Sequence, residues 1–393
     1  MNLDQPPKIF YFTNLASIYR TRLWKVLLES KHFTIYFGFG KNKRLGIKSI
    51  DITAPSFETK KDRFFKLKNI WIRKKYLIWQ FGVISKCILN KPDAVIFMGD
   101  ATVITYWIAA IICRIRKIRV VYHTHGLYGD ESGLKLVLRK LFYKLANNFI
   151  VYERHGKELM LEEGFSEENI YVFFNSLDYP KHKSLREELK LKNTKYQFGL
   201  FEDNEKPLLI FIGRLTYEKK LHLLIDAAKN LNKTGLKVNL LIIGDGEAMI
   251  ELKGMLNENE EKFINLFGPC FDEDIIGEML YNADLCVSPG NVGLTAIHSL
   301  SFGTPVCTHN NYSNQGPEVD AITESKTGFL FKENDLTDLV NKIREWLIEH
   351  PNKNDALKED CFEIIEKYYN PFYQEKVLDA LIKGAPPAKL NLL

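Results

Sequence analysis

The apolar run LLIFIG ends at Gly213-Arg214-Leu215, and Thr216-Tyr217-Glu218-Lys219-Lys220 leads from it into an amphipathic stretch. An arginine at the carboxyl edge of a strand and a lysine at the start of the next helix put two cations where a helix N-terminus already favours anions. A diphosphate is the natural guest of such a place; a surface arginine beside a solvated lysine is the alternative. Residues 288–306, SPGNVGLTAIHSLSFGTPV, read as a strand end, a glycine loop, a short helix from about Gly293 and a turn at Gly303-Thr304-Pro305. Glycines at 290 and 293 let backbone N–H groups approach a ligand closely, and the helix behind them directs its positive end the same way. Such an arrangement stabilises negative charge growing on a phosphate leaving group. A tight strand-to-helix turn accounts for one of these glycines, but not for both with Asn291 between them.

Gly244-Asp245-Gly246 follows the strand VNLLIIG and precedes a helix, yet the third glycine of a dinucleotide fingerprint would fall at Met249. NAD(P) is therefore not expected, whereas a loop of small residues at the mouth of a binding cleft is. Asp272-Glu273-Asp274 has the D-x-D spacing of metal-binding acids. It stands at the entrance of a helix over 275–281, where acids cap the first turn and meet the helix dipole, so no metal is expected there.

Parallel α/β layering is the arrangement that would position these loops. Short runs rich in Ile, Val and Phe alternate with amphipathic segments along almost the whole chain. The strand candidates are KIFYFT, FTIYFGF, AVIFMG, RVVYHT, FIVYE and IYVFF, then LLIFIG, VNLLIIG, FINLFG, LCVSP and PVCTH. Leu221, Leu224, Ile225, Ala228 and Leu231 form a helical stripe between two of them. The expectation is an α/β protein of two Rossmann-like doubly wound domains facing each other across a cleft, with ligands at the carboxyl ends of the strands. The first domain spans 1–178, a charged segment without a strand at 179–206 is read as a linker, and the second domain spans 207–366. Helices are predicted over 336–350 and 356–369, and after a break at Asn370-Pro371 a last helix within 367–393 packs back on the first domain.

The 393 residues include 46% apolar positions and 26 Phe, which excludes a disordered chain. Residues 1–200 hold 35 basic and 18 acidic residues and residues 201–393 hold 19 and 31, so the two halves carry +17 and −12. A basic excess confined to one half argues against nucleic acid as the partner. Between Lys41 and Lys75 twelve cations stand against three acids and are mixed with Phe57, Phe64, Phe65 and Trp71, followed by Tyr76 and Trp79. Cations interleaved with aromatics suit an anionic bilayer surface, and a solvated loop is the alternative. Six scattered cysteines suggest neither zinc nor disulfides, and MNLDQPPKIFYFTN has no signal-peptide pattern. The expected location is thus cytoplasmic, peripheral on the inner face of the cytoplasmic membrane. The most membrane-like stretch, residues 94–113, reads as a strand followed by a buried helix.

The segments GRLTYEKKLHLLIDAAKNL, LLIIGDGEAMIELK, NLFGPCFDEDIIGEMLYNADLCVSP, GLTAIHSLSFGTPV and GPEVDAI…TGFLF occur in this order over 208–347. Together they resemble the nucleotide-sugar domain of the retaining glycosyltransferase family 4, of GT-B fold. More loosely, YHTHG at 122–126 resembles that family's active-site histidine segment and NSLD at 175–178 its strand-to-linker motif. By this resemblance Arg214 and Lys219 would bind the donor diphosphate and support its departure, and His125 would reach the donor sugar. Gly213, Gly244, Gly268, Gly290, Asn291, Gly293, Leu294, Thr295 and Glu318 would line the donor site. The family usually carries two glutamates at E-x7-E spacing; in register with Gly303-Thr304-Pro305-Val306 these positions are Gly290 and His298 here. His298 would then address a ribose hydroxyl, or else be a packed residue. Asn14, Tyr19 and Arg20 in the loop after the first strand are the candidates for the acceptor, Arg20 for an anionic group on it.

The resemblance, with no acid in that loop to act as nucleophile, implies front-face attack, the departing diphosphate taking the acceptor proton. The implied activity is sugar transfer, hexosyl or N-acetylhexosaminyl, from a nucleotide-diphosphate sugar to a lipid-linked or growing surface glycan such as capsule or O-antigen, with no further cofactor. The alternatives are a catalytically silent sugar-nucleotide-binding or scaffold protein and a nucleotide-sugar epimerase.

Overall fold

The computed structural model describes residues 5–40, 48–72, 76–129, 131–192 and 199–390. It divides into two units, Met1–Asp178 with Asn370–Leu393, and Tyr179–Tyr369.

The first unit runs β1 (Lys8–Thr13), α1 (Thr21–Glu29), β2 (Thr34–Phe39), β3 (Phe64–Lys66), β4 (Lys68–Ile72), β5 (Leu77–Phe81), α2 (Val83–Leu89) and β6 (Ala94–Met98). It continues with α3 (Ile104–Ile115), β7 (Arg119–Thr124), α4 (Gly133–Tyr143), β8 (Asn148–Val151), α5 (Arg154–Glu162) and β9 (Ile170–Val172). Seven strands form one sheet in the order β3-β2-β1-β6-β7-β8-β9, every neighbouring pair parallel. Helices cover both faces of such a sheet, which is why its strands are near-continuous apolar runs: Ile9, Phe10, Tyr11 and Phe12 of β1 are all buried. Strand order reverses at β1, between β2 and β6, so the loops after β1, β6 and β7 share the carboxyl edge where α/β sheets bind ligands.

Within the expected basic face, residues 41–47 and 73–75 lie outside the described residues. The rest is more structured than its charge suggested, because it contributes edge strand β3 and the antiparallel hairpin β4–β5. Phe57 and Phe64 are buried in the core, their rings edge-on at 5.5 Å, so they do not interleave with cations on the surface. The membrane-like stretch is β6 followed by α3, and no helix among the described residues is long and apolar enough to cross a membrane.

The second unit comprises α6 (Tyr179–Lys192), β10 (Leu208–Ile212), α7 (Leu221–Lys233), β11 (Asn239–Ile243), α8 (Met249–Gly254), β12 (Ile264–Gly268) and α9 (Glu273–Asn282). After these come β13 (Leu285–Ser288), α10 (Thr295–Ser301), β14 (Val306–His309), β15 (Gly328–Phe331), α11 (Leu336–Glu349) and α12 (Asp355–Lys367). Its six parallel strands are ordered β12-β11-β10-β13-β14-β15. The α7 stripe of Leu221, Leu224, Ile225, Ala228 and Leu231 is fully inside the core, packed with Leu209, Phe211, Leu240 and Ile242 of the sheet.

Two boundaries differ from the sequence reading. Residues 179–192 are a helix of the second unit, not a linker: His182, Arg186 and Leu189 are buried, and α6 packs on α9. A helix with few apolar residues and many charges reads as linker because its buried face is made of polar groups that find partners. The second unit ends at Tyr369, and α13 (Pro371–Lys383) belongs to the first, where Gln374 Nε2 donates to the Phe174 carbonyl at 3.0 Å and Tyr373 Oη to that of Val172 at 3.2 Å.

Candidate functional site

Strand order in the second unit reverses at β10, which has β11 on one side and β13 on the other. The loops leaving β10 and β13 meet at this switch point. Gly290 N–H donates to the Lys219 carbonyl at 3.0 Å, and Thr295 Oγ1 donates to the Ile212 carbonyl at 2.7 Å. A Cβ at position 290 would stand 1.9 Å from the Glu218 carbonyl oxygen, so the chain must be bare there for the two loops to touch.

Lys219 closes the 3-10 turn Tyr217–Lys219 and directs its ammonium to the carbonyl of Asn291. Burial lowers its pKa below the ordinary lysine value; the buried carboxylate of Glu318 opposes the shift and Arg214 adds to it. Glu318 lies in the 3-10 turn Pro317–Ala321. Arg214 is exposed at the end of β10.

Val292 N–H donates to Gln315 Oε1 at 2.9 Å, and Gln315 Nε2 to Thr308 Oγ1 at 2.8 Å, which ties the 290–295 loop to the 312–318 segment. The side-chain amide of Asn291 donates to the Asn314 carbonyl at 3.4 Å. Gly213, Gly244 and Gly268 stand at the ends of three adjacent strands, linked by N–H donation from Gly213 to Ile243 at 3.0 Å and from Gly244 to Gly268 at 2.9 Å. Leu294 precedes α10 and Gly293 has a left-handed φ of 53°. These residues line one edge of one sheet and combine an exposed cation, a half-buried cation and open backbone, a composition suited to a diphosphate.

His298 is engaged elsewhere. Its Nε2 lies 2.6 Å from Glu273 Oε1, and His182 Nε2 lies 2.9 Å from the same oxygen. The two imidazoles stack at 5.1 Å and 15°. A carboxylate only accepts, so each ring donates through Nε2–H. Burial would raise the Glu273 pKa, but the hydrogen bonds from His182 and His298 override it and hold the carboxyl well below its usual range. The donor atoms of these three residues lie within 4.8 Å of one another, a ligand set of the type that divalent metals use. The triplet Asp272-Glu273-Asp274 diverges: Asp272 Oδ1 caps α9 by accepting from Asp274 N–H at 2.9 Å, Glu273 meets the histidines, and Asp274 pairs with Lys181 at 3.0 Å.

In the first unit His125 follows β7, with its ring 4.6 Å from that of Tyr152 and 5.8 Å from that of Tyr128, and with Nδ1 3.9 Å from Glu153 Oε1. Its backbone is fixed by a glycine: a Cβ at Gly156 would fall 2.0 Å from the His125 carbonyl oxygen. In the loop after β1, the Asn14 carbonyl accepts from Asn69 Nδ2 at 2.9 Å, and Arg20 lies against the rings of Tyr19 and Tyr152 at 5.5 and 5.1 Å. Arg20 also donates through Nη2 to Tyr152 Oη at 2.8 Å and Asn175 Oδ1 at 3.0 Å. The sequence reading missed Tyr152, Asn175, His182 and Glu273 as partners of the residues it chose. Asn175 and Glu273 lie in segments singled out on other grounds, and Tyr152 carries a signal of its own, an aromatic residue directly after a buried strand at the carboxyl edge.

Residues 192–361 match the family model described as Glycosyl transferases group 1. The alpha-monoglucosyldiacylglycerol synthase of Streptococcus pneumoniae is 31% identical over 207 residues, covering 51% of this chain and 45% of that protein. Across the curated relatives it matches first, the chain spans about a third to just over half of their length. Among solved structures, HepE of Anabaena in complex with UDP aligns with a TM-score of 0.67 at 15% identity, over 96% of this chain and 99% of that one. The lipopolysaccharide outer core galactosyltransferase WaaB in its apo form aligns with a TM-score of 0.67 at 16% identity, over the same shares. The architecture is therefore GT-B, two Rossmann-like domains. Most of the second unit, with Arg214, Lys219 and Gly290–Thr295, carries the sequence pattern of the group 1 glycosyl transferases.

Proposed function

We propose that this chain is a group 1 glycosyltransferase that moves a hexosyl or N-acetylhexosaminyl residue from a nucleotide-diphosphate sugar to a lipid-linked or growing surface glycan, with retention. The observation that carries this reading is the meeting of the Arg214–Lys219 loop with the Gly290–Thr295 loop at the switch point of the second unit, inside the segment that matches the family model. The UDP complex of HepE supports a uridine nucleotide as one donor to try first. In this mechanism the acceptor oxygen bonds to the anomeric carbon as the bond to the diphosphate breaks, and the acceptor proton passes to the departing diphosphate oxygen. Arg214 and Lys219 neutralise that diphosphate, and His125 positions the sugar. Gly213, Gly244, Gly268, Gly290, Asn291, Gly293, Leu294, Thr295 and Glu318 line the donor site, and the acceptor enters by the loop carrying Asn14, Tyr19 and Arg20.

Work on the inner face of the cytoplasmic membrane suits the first unit. Leu134, Val137, Leu138 and Leu141 of α4 are exposed along one helical stripe beside Lys135, with Arg139 and Lys140 on the same helix paired to Glu131 and Glu163, and Ile108, Ile111 and Ile115 of α3 are exposed likewise. Apolar stripes rimmed by cations lie flat on anionic bilayers. Two readouts test the whole: mass-spectrometric detection of sugar transfer from a panel of nucleotide sugars to a lipid-linked acceptor extract, and co-sedimentation with anionic vesicles. Transfer that vanishes in His125→Ala supports the reading; UDP binding with no transfer or hydrolysis of any donor favours a silent binding protein, and donor conversion without an acceptor favours an epimerase.

A further inference from the structure

Among the described residues Arg20 is a cation without a counter-charge. It ends the 3-10 turn Ile18–Arg20 at the carboxyl edge of the first unit's sheet. Nη2 spends its protons on Tyr152 Oη and Asn175 Oδ1, at 2.8 and 3.0 Å, both neutral. Nε is buried with no hydrogen-bond partner among the described residues. Nη1 has none either and, unlike Nε, is not buried. The titratable groups that act on it most are the phenols of Tyr152, Tyr19 and Tyr11. No carboxylate among the described residues pairs with it, whereas Arg22, two positions on, is paired with Asp178 at 3.0 Å. The nearby His123 adds no second cation, since burial pushes its pKa well down and Arg20 pushes the same way.

Taking a charge out of water without a partner is expensive, most of all for a fully buried ion. The Tyr19 and Tyr152 rings hold the guanidinium in place and the Tyr11 hydroxyl also interacts with it, which leaves Nη1 as its unspent, unburied nitrogen. The N–H donors of Nη1, on a fixed guanidinium cation, match a carboxylate or phosphate oxygen. The ring of Tyr152, whose hydroxyl holds Arg20, is also the ring against which His125 packs at 4.6 Å, so the unspent cation stands one aromatic side chain away from the proposed catalytic histidine.

We propose that Arg20 anchors an oxyanion of the acceptor, either the carboxylate of an acidic sugar or a phosphate of its carrier, so that the acceptor class is an anionic glycan. This rests on the reading that the first unit receives the acceptor. Tyr19 and Tyr152 shape the site and Asn175 orients the guanidinium.

The test is binding by isothermal titration to the full chain with UDP present at saturation, so that the donor site is occupied. The probes are methyl glucuronide against methyl glucoside, and glycerol phosphate against glycerol. The expected result is that one charged probe binds more than about tenfold tighter than its neutral counterpart, that added salt weakens it, and that Arg20→Gln loses this preference while Arg20→Lys keeps part of it. Preference for the glucuronide assigns the carboxylate, and preference for the phosphate ester assigns the carrier. Equal binding of charged and neutral probes by the wild-type chain overturns the proposal without recourse to any variant, and so does an unchanged preference in Arg20→Gln. Should UDP itself fail to bind while a charged probe binds through Arg20, the donor reading falls and the anion site stands.

Discussion

Gly290 and Glu218 are in backbone contact so close that a single added carbon at position 290 would lie 1.9 Å from the Glu218 carbonyl oxygen. The glycine is what lets the loop after β13 hold the turn that carries Lys219. Gly290→Ala is therefore expected to lower stability by about 1–3 kcal/mol, the range for forcing extra atoms into a packed site. It should also weaken UDP binding, because the Lys219 turn must move away. Chemical unfolding and UDP titration of the same preparation measure the two effects; an alanine variant with unchanged UDP affinity would separate the contact from the donor site.

Lys219 gives a pH dependence with a definite sign. Burial holds its pKa below the ordinary lysine value of about 10.4, so the folded chain releases this proton earlier than an unfolded one does. Anion binding by the ammonium is thus complete below the lowered value and is lost as pH rises through it. UDP affinity in the wild-type chain should fall on the alkaline side before an ordinary lysine titrates, and Lys219→Arg should flatten that fall. Lys219→Ala should lower turnover more than it weakens donor binding, since the charge matters most when the diphosphate departs. Equal losses in both would assign Lys219 to binding alone.

Much of this architecture was legible because parallel strands covered on both faces leave unbroken apolar runs, and the β10–β13 loops were legible because glycines and cations at strand ends have few other uses. The hairpin β4–β5 was not, since its pattern of half-buried and exposed residues, KNIWI, sits inside a segment dominated by charge. Helix α6 was hidden for a related reason: its buried positions include His182 and Arg186, which local hydropathy scores as surface. Arg20 was visible as a cation in a strand-end loop, but Tyr152 and Asn175, which hold it, are joined to it only by the sheet order.

Gly156 should matter to His125 as Gly290 does to Lys219. A Cβ at 156 would lie 2.0 Å from the His125 carbonyl oxygen, so Gly156→Ala must displace the histidine segment. The expected outcome is a fall in transfer of at least about tenfold, as misplacement of a catalytic group produces. UDP affinity, which the proposed function assigns to the second unit, should stay at the wild-type value. A variant that keeps full transfer would show that the backbone at 125 has room to shift and that His125 is not held for catalysis.

Glu273 accepts from two stacked histidines, and that relation fixes how stability responds to acid. Its carboxyl is held well below the usual range by the hydrogen bonds from His182 and His298, against the opposing effect of burial. A depressed folded pKa contributes stability that is fully present above the unfolded value of about 4.3 and is lost as pH falls toward the folded one. Glu273→Gln keeps the shape but removes the charge, so at pH 7 it should lower unfolding free energy by about 1–2 kcal/mol, as expected for hydrogen bonds to an ion that is partly exposed. The gap between wild type and variant should narrow steadily below about pH 4, where the unfolded carboxylate protonates and the charge ceases to favour the fold. Denaturant unfolding at a series of pH values reads this directly. A gap that stays constant down to acid pH would mean that the histidines hold Glu273 by packing and not by its charge.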